Sequence, residues 1–200
     1  KRARYVFTVS EYSKKIISEW ANIPADKIIN VSCGLSERLT HHGEKYVPGY
    51  PYLLHVGNAE KSHKNIERLL HAFTKTKTDR NLRLIFTGKF SDALHEIARK
   101  NHLQNRIVFT NNLSDEELAK IYRGAEAVVF PSLYEGFGLP VLEGMACGVP
   151  VLTSNVTSLP EVAGDAALLT DPSSIDSIAA GIEKILEDTN LRQTLIERGL

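Results

Sequence analysis

From residue 52 onward the chain alternates short β-rich runs with amphipathic stretches, and this alternation restricts the fold more than any other feature of the sequence. Strands separated by helices build a parallel sheet, because each return crossing needs a connection of helix length, and the helices then cover both faces. Strands are expected at 52–56, 83–88, 106–109, 127–131, 149–153 and 167–169. Between them, 65–75 places Ile66, Leu69, Leu70 and Phe73 at helical spacing, and Ser114 with Glu117 three residues later forms a capping box for the next helix. Pro172 and Ser173 open a further helix carrying Ile178, Ile182 and Ile185. The expected fold is α/β, a Rossmann-like doubly wound parallel sheet.

Residues 1–40 are different in kind. They show one strand signal at Tyr5, Val6 and Phe7, one helix over 11–20, and a run at 31–35 with no helix of its own. They are expected to be an overhang from a preceding domain plus a linker, with Gly43, Pro48, Gly49 and Pro51 marking the loop that separates it from a main domain over 41–200. A chain of 200 residues holds one compact domain and an overhang, whereas two full domains would be a tight fit. The start at Lys1 and the stop at Leu200 directly after a helical pattern suggest a fragment with chain missing on both sides, the main domain being truncated at its C-terminus.

Lys and Arg balance Asp and Glu at 24 each, so no global field draws the chain to nucleic acid or to anionic lipid, and any anionic partner must be held by local groups. Cys33 and Cys147 are far apart and in no CxxC pair, which argues against a disulfide framework or a zinc site and for a reducing cytoplasm. No apolar run reaches the roughly 18 residues of a membrane span. Cys147 is expected as a small packed residue, and Trp20 with most Tyr and Phe residues as core.

In open α/β sheets ligands bind beyond the carboxyl ends of the strands, so the loops that follow strands are the places to search. The first is Gly57-Asn58-Ala59-Glu60-Lys61-Ser62-His63-Lys64-Asn65, which runs into a helix start. Alone, Lys64 reads as a solvated lysine; its place beside free N–H groups and the positive end of a helix dipole makes it a phosphate candidate. The second runs from Pro131 through Tyr134-Glu135-Gly136-Phe137-Gly138-Leu139-Pro140 to Glu143. Gly136 and Gly138 let backbone approach a ligand closely, and Pro140 suits a first helical turn, so amides are expected to face the cleft. Glu135 and Glu143 bracket the turn, and carboxylates accept from sugar and ribose hydroxyls. Taken singly, Glu143 is as well explained by the helix dipole and Glu135 by loop polarity.

Together with Met145-Ala146-Cys147-Gly148 and Val149-Pro150-Val151, this loop resembles the donor-site signature of retaining glycosyltransferases of GT-B fold, the group-one family, whose E-x7-E element is matched by Glu135 and Glu143. Thr8 to Lys14 looks like the end of that family's N-terminal domain, and 57–65, 107–113 and Ser158-Leu159-Pro160-Glu161-Val162 are also similar. The chain is thereby identified as the C-terminal, donor-binding half of a GT-B fold.

The resemblance implies roles: Lys64 on the donor diphosphate, Glu135 and the amides of Gly136, Phe137, Gly138 and Leu139 around the sugar, and Glu143 on the ribose hydroxyls. Gly57 and Asn58 would lie at the phosphates, and the loop from Thr110 to Leu113 would line the base. It implies a retaining hexosyl transfer from a nucleoside-diphosphate sugar to a hydroxyl acceptor, a glycan or glycolipid bound through an N-terminal domain. The enzyme would be cytoplasmic or peripheral to the membrane, serving polysaccharide biosynthesis. Many relatives carry arginine where this chain has Asn58, which shifts phosphate charge onto Lys64 and the helix start, with help from Lys61 or Lys89. Val31-Ser32-Cys33-Gly34 departs from the family's Asn-Gly.

No Asp-x-Asp occurs, so no metal and no cofactor is expected, and the seven histidines show no ligand spacing. His63-Lys64-Asn65 is similar to mannosyl- and rhamnosyltransferases of surface polysaccharide pathways, which makes GDP-mannose the first choice of donor. Two rivals stand beside this reading. A nicotinamide-dependent oxidoreductase would need a first-strand G-x-G-x-x-G that is absent, and Val141 stands where the fingerprint wants a small residue. A catalytically idle nucleotide-sugar-binding module is kept open by Asn58.

Overall fold

The computed structural model describes residues 3–77, 81–88 and 91–200. Strand β1 (Val6–Thr8), helix α1 (Glu11–Ala21) and strand β2 (Ile28–Asn30) come first, and β1 pairs in parallel with β2. There follow β3 (Tyr52–Val56), α2 (Ile66–Lys75), β4 (Arg83–Thr87), α3 (Asp92–Lys100), β5 (Ile107–Thr110), α4 (Asp115–Gly124) and β6 (Ala127–Phe130). The chain continues through α5 (Leu139–Ala146), β7 (Val151–Ser154), α6 (Leu159–Ala163), β8 (Ala167–Thr170), α7 (Ile175–Glu187) and α8 (Thr189–Gly199).

Six strands form one parallel sheet in the order β5-β4-β3-β6-β7-β8. The chain builds outward from β3 to β5, then returns to the other side of β3 with β6, so the topological switch lies between β3 and β6. Alternating strand residues feed two cores. Leu53, Leu84, Phe86, Val129 and Leu152 pack against α2, α3 and α7, whereas Leu54, Val56, Ile85, Val128 and Val151 pack against α4, α5 and α6. Both faces are covered, which is why strands such as β6 read as continuous apolar runs. The doubly wound α/β expectation holds.

Several local expectations are corrected. The leading segment holds a second strand, Ile28–Asn30, where only one was expected; the 31–35 run after it is irregular, with the Asn30 side chain accepting from Ser32 N at 2.9 Å and Ser32 at φ +58°. Strand β7 begins at Val151, two residues late, because Gly148 leaves α5 at φ +68° and Val149 and Pro150 complete the turn. Helix α2 starts after Asn65, and α7 starts after Ser174, whose hydroxyl accepts from Ser177 N. The capping box of Ser114 and Glu117 is present. Trp20 is not core: it is 87% exposed, because α1 packs chiefly on a two-stranded sheet that covers only one side of it, and Phe7 is exposed as well.

Candidate functional site

Strands β3 and β6 end side by side at the switch point, and the loops leaving them are tied together. Leu133 N donates to the His63 carbonyl at 2.7 Å, and Asn65 Nδ2 donates to the carbonyls of Pro131 and Pro172 at 2.9 and 2.7 Å. Asn65 holds φ +62°, a conformation that a short polar side chain tolerates, and this turns the chain from the 62–64 turn into α2. The same turn aims Lys64 at the loop that follows β6. Its Nζ lies 2.7 Å from Glu135 Oε1, both side chains being 14% exposed, and 4.6 Å from the centroid of the Phe130 ring. A largely buried ammonium is thus held between a carboxylate and an aromatic face.

The loop carrying Glu135 is fastened from outside. Glu135 N donates to Thr157 Oγ1 at 3.3 Å, and the Ser158 hydroxyl lies 2.9 Å from the carbonyls of both Glu135 and Phe137. The Gly136 carbonyl accepts from the hydroxyls of Ser10 and Ser13. Gly138 turns the chain into α5 at φ +107°, and a Cβ there would stand 2.5 Å from Leu159 Cδ2, so glycine is required twice over. Pro140 occupies the first turn of α5, as expected.

Glu143 is placed differently from Glu135. One turn inside α5, its Oε2 accepts from the hydroxyl of Tyr122 at 2.5 Å. Burial raises the Glu143 carboxyl above its usual range; the Tyr122 bond opposes the rise and the charge of Asp115 adds to it.

Gly57 lies against Lys64, a Cβ there falling 3.6 Å from Lys64 Cε. Asn58 turns its side-chain oxygen back onto Glu60 N at 3.0 Å. Lys61 is exposed, and Lys89 lies outside the described residues. Thr110 and Leu113 line a separate hollow with Thr87, Gly88, Asn112 and Leu118 at the ends of β4 and β5. Gly88 joins the two places: its N–H donates to the Thr110 carbonyl at 2.9 Å, and a Cβ on it would meet Gly57 O at 2.9 Å. The structure therefore brings together Gly57, Lys64 and Glu135, with the Gly136 to Leu139 turn following directly, Thr110 and Leu113 adjoining through Gly88, and Glu143 held by Tyr122.

Sequence reasoning missed Tyr122, Phe130, Gly88 and the hydroxyls of Ser10, Ser13 and Ser158, whose partners are remote in sequence. It also passed over His55. This residue is fully buried in the middle of the sheet, donates from Nδ1 to the Val129 carbonyl (2.9 Å), and stands 5.5 Å from the rings of both Phe86 and Phe130. Burial pushes its pKa down to about 4, the Val129 bond opposing and the Lys64 charge adding, so the ring is neutral near pH 7. Among the described residues no three His, Cys, Asp or Glu side chains are grouped to hold a metal ion, and no helix is long and apolar enough to cross a membrane.

Comparison with known proteins finds relatives over nearly the whole chain. The O-antigen chain mannosyltransferase B of Escherichia coli is 36% identical over 99% of the chain, which spans 55% of that protein's length. The MMP alpha-(1->4)-mannosyltransferase of Mycolicibacterium hassiacum is 29% identical over 97% of the chain, spanning 48% of that protein. The chain therefore spans about half the length of these relatives. Among solved structures, sucrose-phosphate synthase from Thermosynechococcus elongatus superposes with a TM-score of 0.84 at 25% identity, covering 99% of this chain and 53% of that one. A Rickettsia africae glycosyltransferase superposes with a TM-score of 0.86 at 20% identity, covering 98% and 57%, and shares the fold. Residues 38–200 match the family described as glycosyl transferases, group 1, and on that match the chain belongs to the group 1 glycosyl transferases.

Proposed function

We propose that this chain holds the donor of a retaining hexosyl transfer, a nucleoside-diphosphate sugar, in the crevice beyond β3 and β6. The observation that carries the reading is the Lys64–Glu135 pair at the switch point, a cation and an acceptor 2.7 Å apart beside a glycine turn. An arriving diphosphate supplies Lys64 with a new counter-charge, and Glu135 is then released to accept from sugar hydroxyls. Gly57 and Asn58 border the phosphates, and the amides of Gly136, Phe137, Gly138 and Leu139 lie around the sugar at the positive end of α5. Glu143 accepts from the ribose, and Thr110 and Leu113 line the base.

As the glycosidic bond breaks, negative charge grows on the departing diphosphate. Lys64 and the α5 amides are fixed in advance to meet it, the preorganised electrostatic contribution that dominates many catalysed reactions. Protein groups suffice for this role, so the reaction needs no divalent metal. The donor is GDP-mannose, supported by the O-antigen mannosyltransferase relative and by the His63-Lys64-Asn65 run. The acceptor, a glycan or glycolipid hydroxyl, binds through a further domain on the other side of the crevice, and residues 1–40 belong to that side.

Calorimetry with UDP-, GDP-, ADP- and dTDP-sugars in the presence of EDTA tests the reading. Binding of GDP-mannose without metal, weakening as salt rises, is the expected result. Binding that EDTA abolishes and magnesium restores would refute the metal-free mechanism, and binding of none of the four would refute the donor site itself. A radiolabelled-donor assay is expected to show transfer by a protein that includes the acceptor domain and none by this 200-residue segment alone; donor turnover absent from both would make the chain a binding module.

A further inference from the structure

Helix α1 is docked end-on against the glycine loop. None of its residues is fully buried, yet the amides of its first turn are all accounted for. Glu11 N and Tyr12 N donate to the two oxygens of Glu161 at 2.8 and 3.1 Å, and Ser13 N donates to Ser10 Oγ at 3.0 Å. Glu161 lies in the first turn of α6, 150 residues from Glu11, so its carboxylate caps a helix that is not its own. The ring of Tyr12 meets Tyr134 edge-on, with centroids 5.9 Å apart.

From this mooring two hydroxyls converge on one atom. Ser10 Oγ and Ser13 Oγ donate to the Gly136 carbonyl at 2.7 and 2.9 Å. A trans peptide unit is planar, with its C=O and the following N–H pointing in opposite directions. Holding the Gly136 oxygen therefore fixes the aim of Phe137 N–H. In the same way Ser158, by holding the carbonyls of Glu135 and Phe137, aims the amides of Gly136 and Gly138. Three successive N–H groups thus owe their direction to hydroxyls outside the loop, and the middle one is controlled by α1.

We propose that Ser10 and Ser13, anchored by Glu161, are positioning residues for the donor, setting from the leading segment the amide that the sugar meets. The consequence for the donor rests on the function proposed above; the mechanical link does not. Ser13→Ala is the decisive variant, because Ser13 does not cap α1 and its loss removes only the bond to Gly136. The intact protein is compared with Ser13→Ala, Ser13→Thr and Glu161→Gln.

In the ligand-free protein the 15N order parameter of the Phe137 amide is expected to fall from the rigid value of about 0.85 towards 0.6 in Ser13→Ala and Glu161→Gln, and to be restored in Ser13→Thr. For whichever nucleotide sugar the wild type binds, KM should rise roughly three- to tenfold in Ser13→Ala, on the order of one lost hydrogen bond. Affinity for the parent nucleoside diphosphate should stay within about twofold, since the loop amides are assigned to the sugar. An unchanged order parameter overturns the positioning role whatever the chain binds, and so does a lowered melting temperature with unchanged KM. Failure of the wild type to bind any nucleotide sugar would instead refute the donor site, with the order parameter still deciding the link.

Discussion

Glu135 and Glu143 are eight residues apart and chemically identical, yet they sit in opposite surroundings. Glu135 lies on a loop clamped by hydroxyls and faces the ammonium of Lys64. Glu143 lies on a helix and faces the neutral hydroxyl of Tyr122, with burial holding its carboxyl above the usual range. The first is a counter-charge that, in the function proposed above, a diphosphate replaces; the second is an acceptor braced by the core. Spacing alone treats the two as equivalent, but their neighbours divide the work into one exchangeable ion pair and one fixed polar contact.

The glycine turn that separates the two carboxylates is the most sensitive point. Gly138→Ala combines a left-handed backbone with a Cβ 2.5 Å from Leu159 Cδ2. It is expected to cost about 3 kcal/mol, lowering the thermal midpoint by roughly 6–12 °C. A melt within about 2 °C of wild type would show that the two stations are not joined through this turn.

Acid should act on the two stations with opposite sign. The folded pKa of His55, close to Phe130 beneath Lys64, is depressed to about 4, so the unfolded imidazole takes up a proton from pH 6.5 downward while the folded one stays neutral. The stability it contributes above pH 6.5 is lost progressively towards pH 4, up to about 3 kcal/mol. Glu143 has a raised pKa, so there the folded state is protonated first and acid is partly offset. Denaturant unfolding between pH 7 and 4.5 and an NMR titration of the ring check this; a His55 imidazole titrating near 6.5 would contradict it.

Lys64→Ala should weaken nucleoside-diphosphate binding by about 2–3 kcal/mol, on the order of 30- to 150-fold, the scale of a charge-assisted contact. Loss of less than about threefold in calorimetry would move the phosphate seat elsewhere. Glu143→Ala should be smaller, about 2 kcal/mol in stability from the orphaned Tyr122 hydroxyl, with a loss of donor affinity on top. Adding Tyr122→Phe separates the two: stability is expected to return because both partners are gone, while affinity does not. If affinity returned too, Glu143 would be a structural residue only.

Much of this was legible in the sequence because it is written locally. Apolar alternation located the six sheet strands, Ser114 and Glu117 announced α4, and Lys64 and Glu135 lay in loops that had to follow strands. What was not legible depends on partners remote in sequence. Nothing near Glu143 points to Tyr122, which belongs to another helix, and nothing near Gly136 points to Ser10. Trp20 was misjudged because an aromatic on an amphipathic helix is core only when a second layer covers it, and here none of the described residues does.

The contact between Gly88 and Gly57 bears on redesign. These two turns abut so closely that a single methyl group at Gly88 would press on the Gly57 carbonyl. The loop beside Lys64 and the loop bordering the Thr110 hollow therefore cannot be exchanged one at a time. If the proposed donor site is right, a graft meant to change the nucleotide must transplant both turns together, because an incoming loop at either one would displace the backbone of the other.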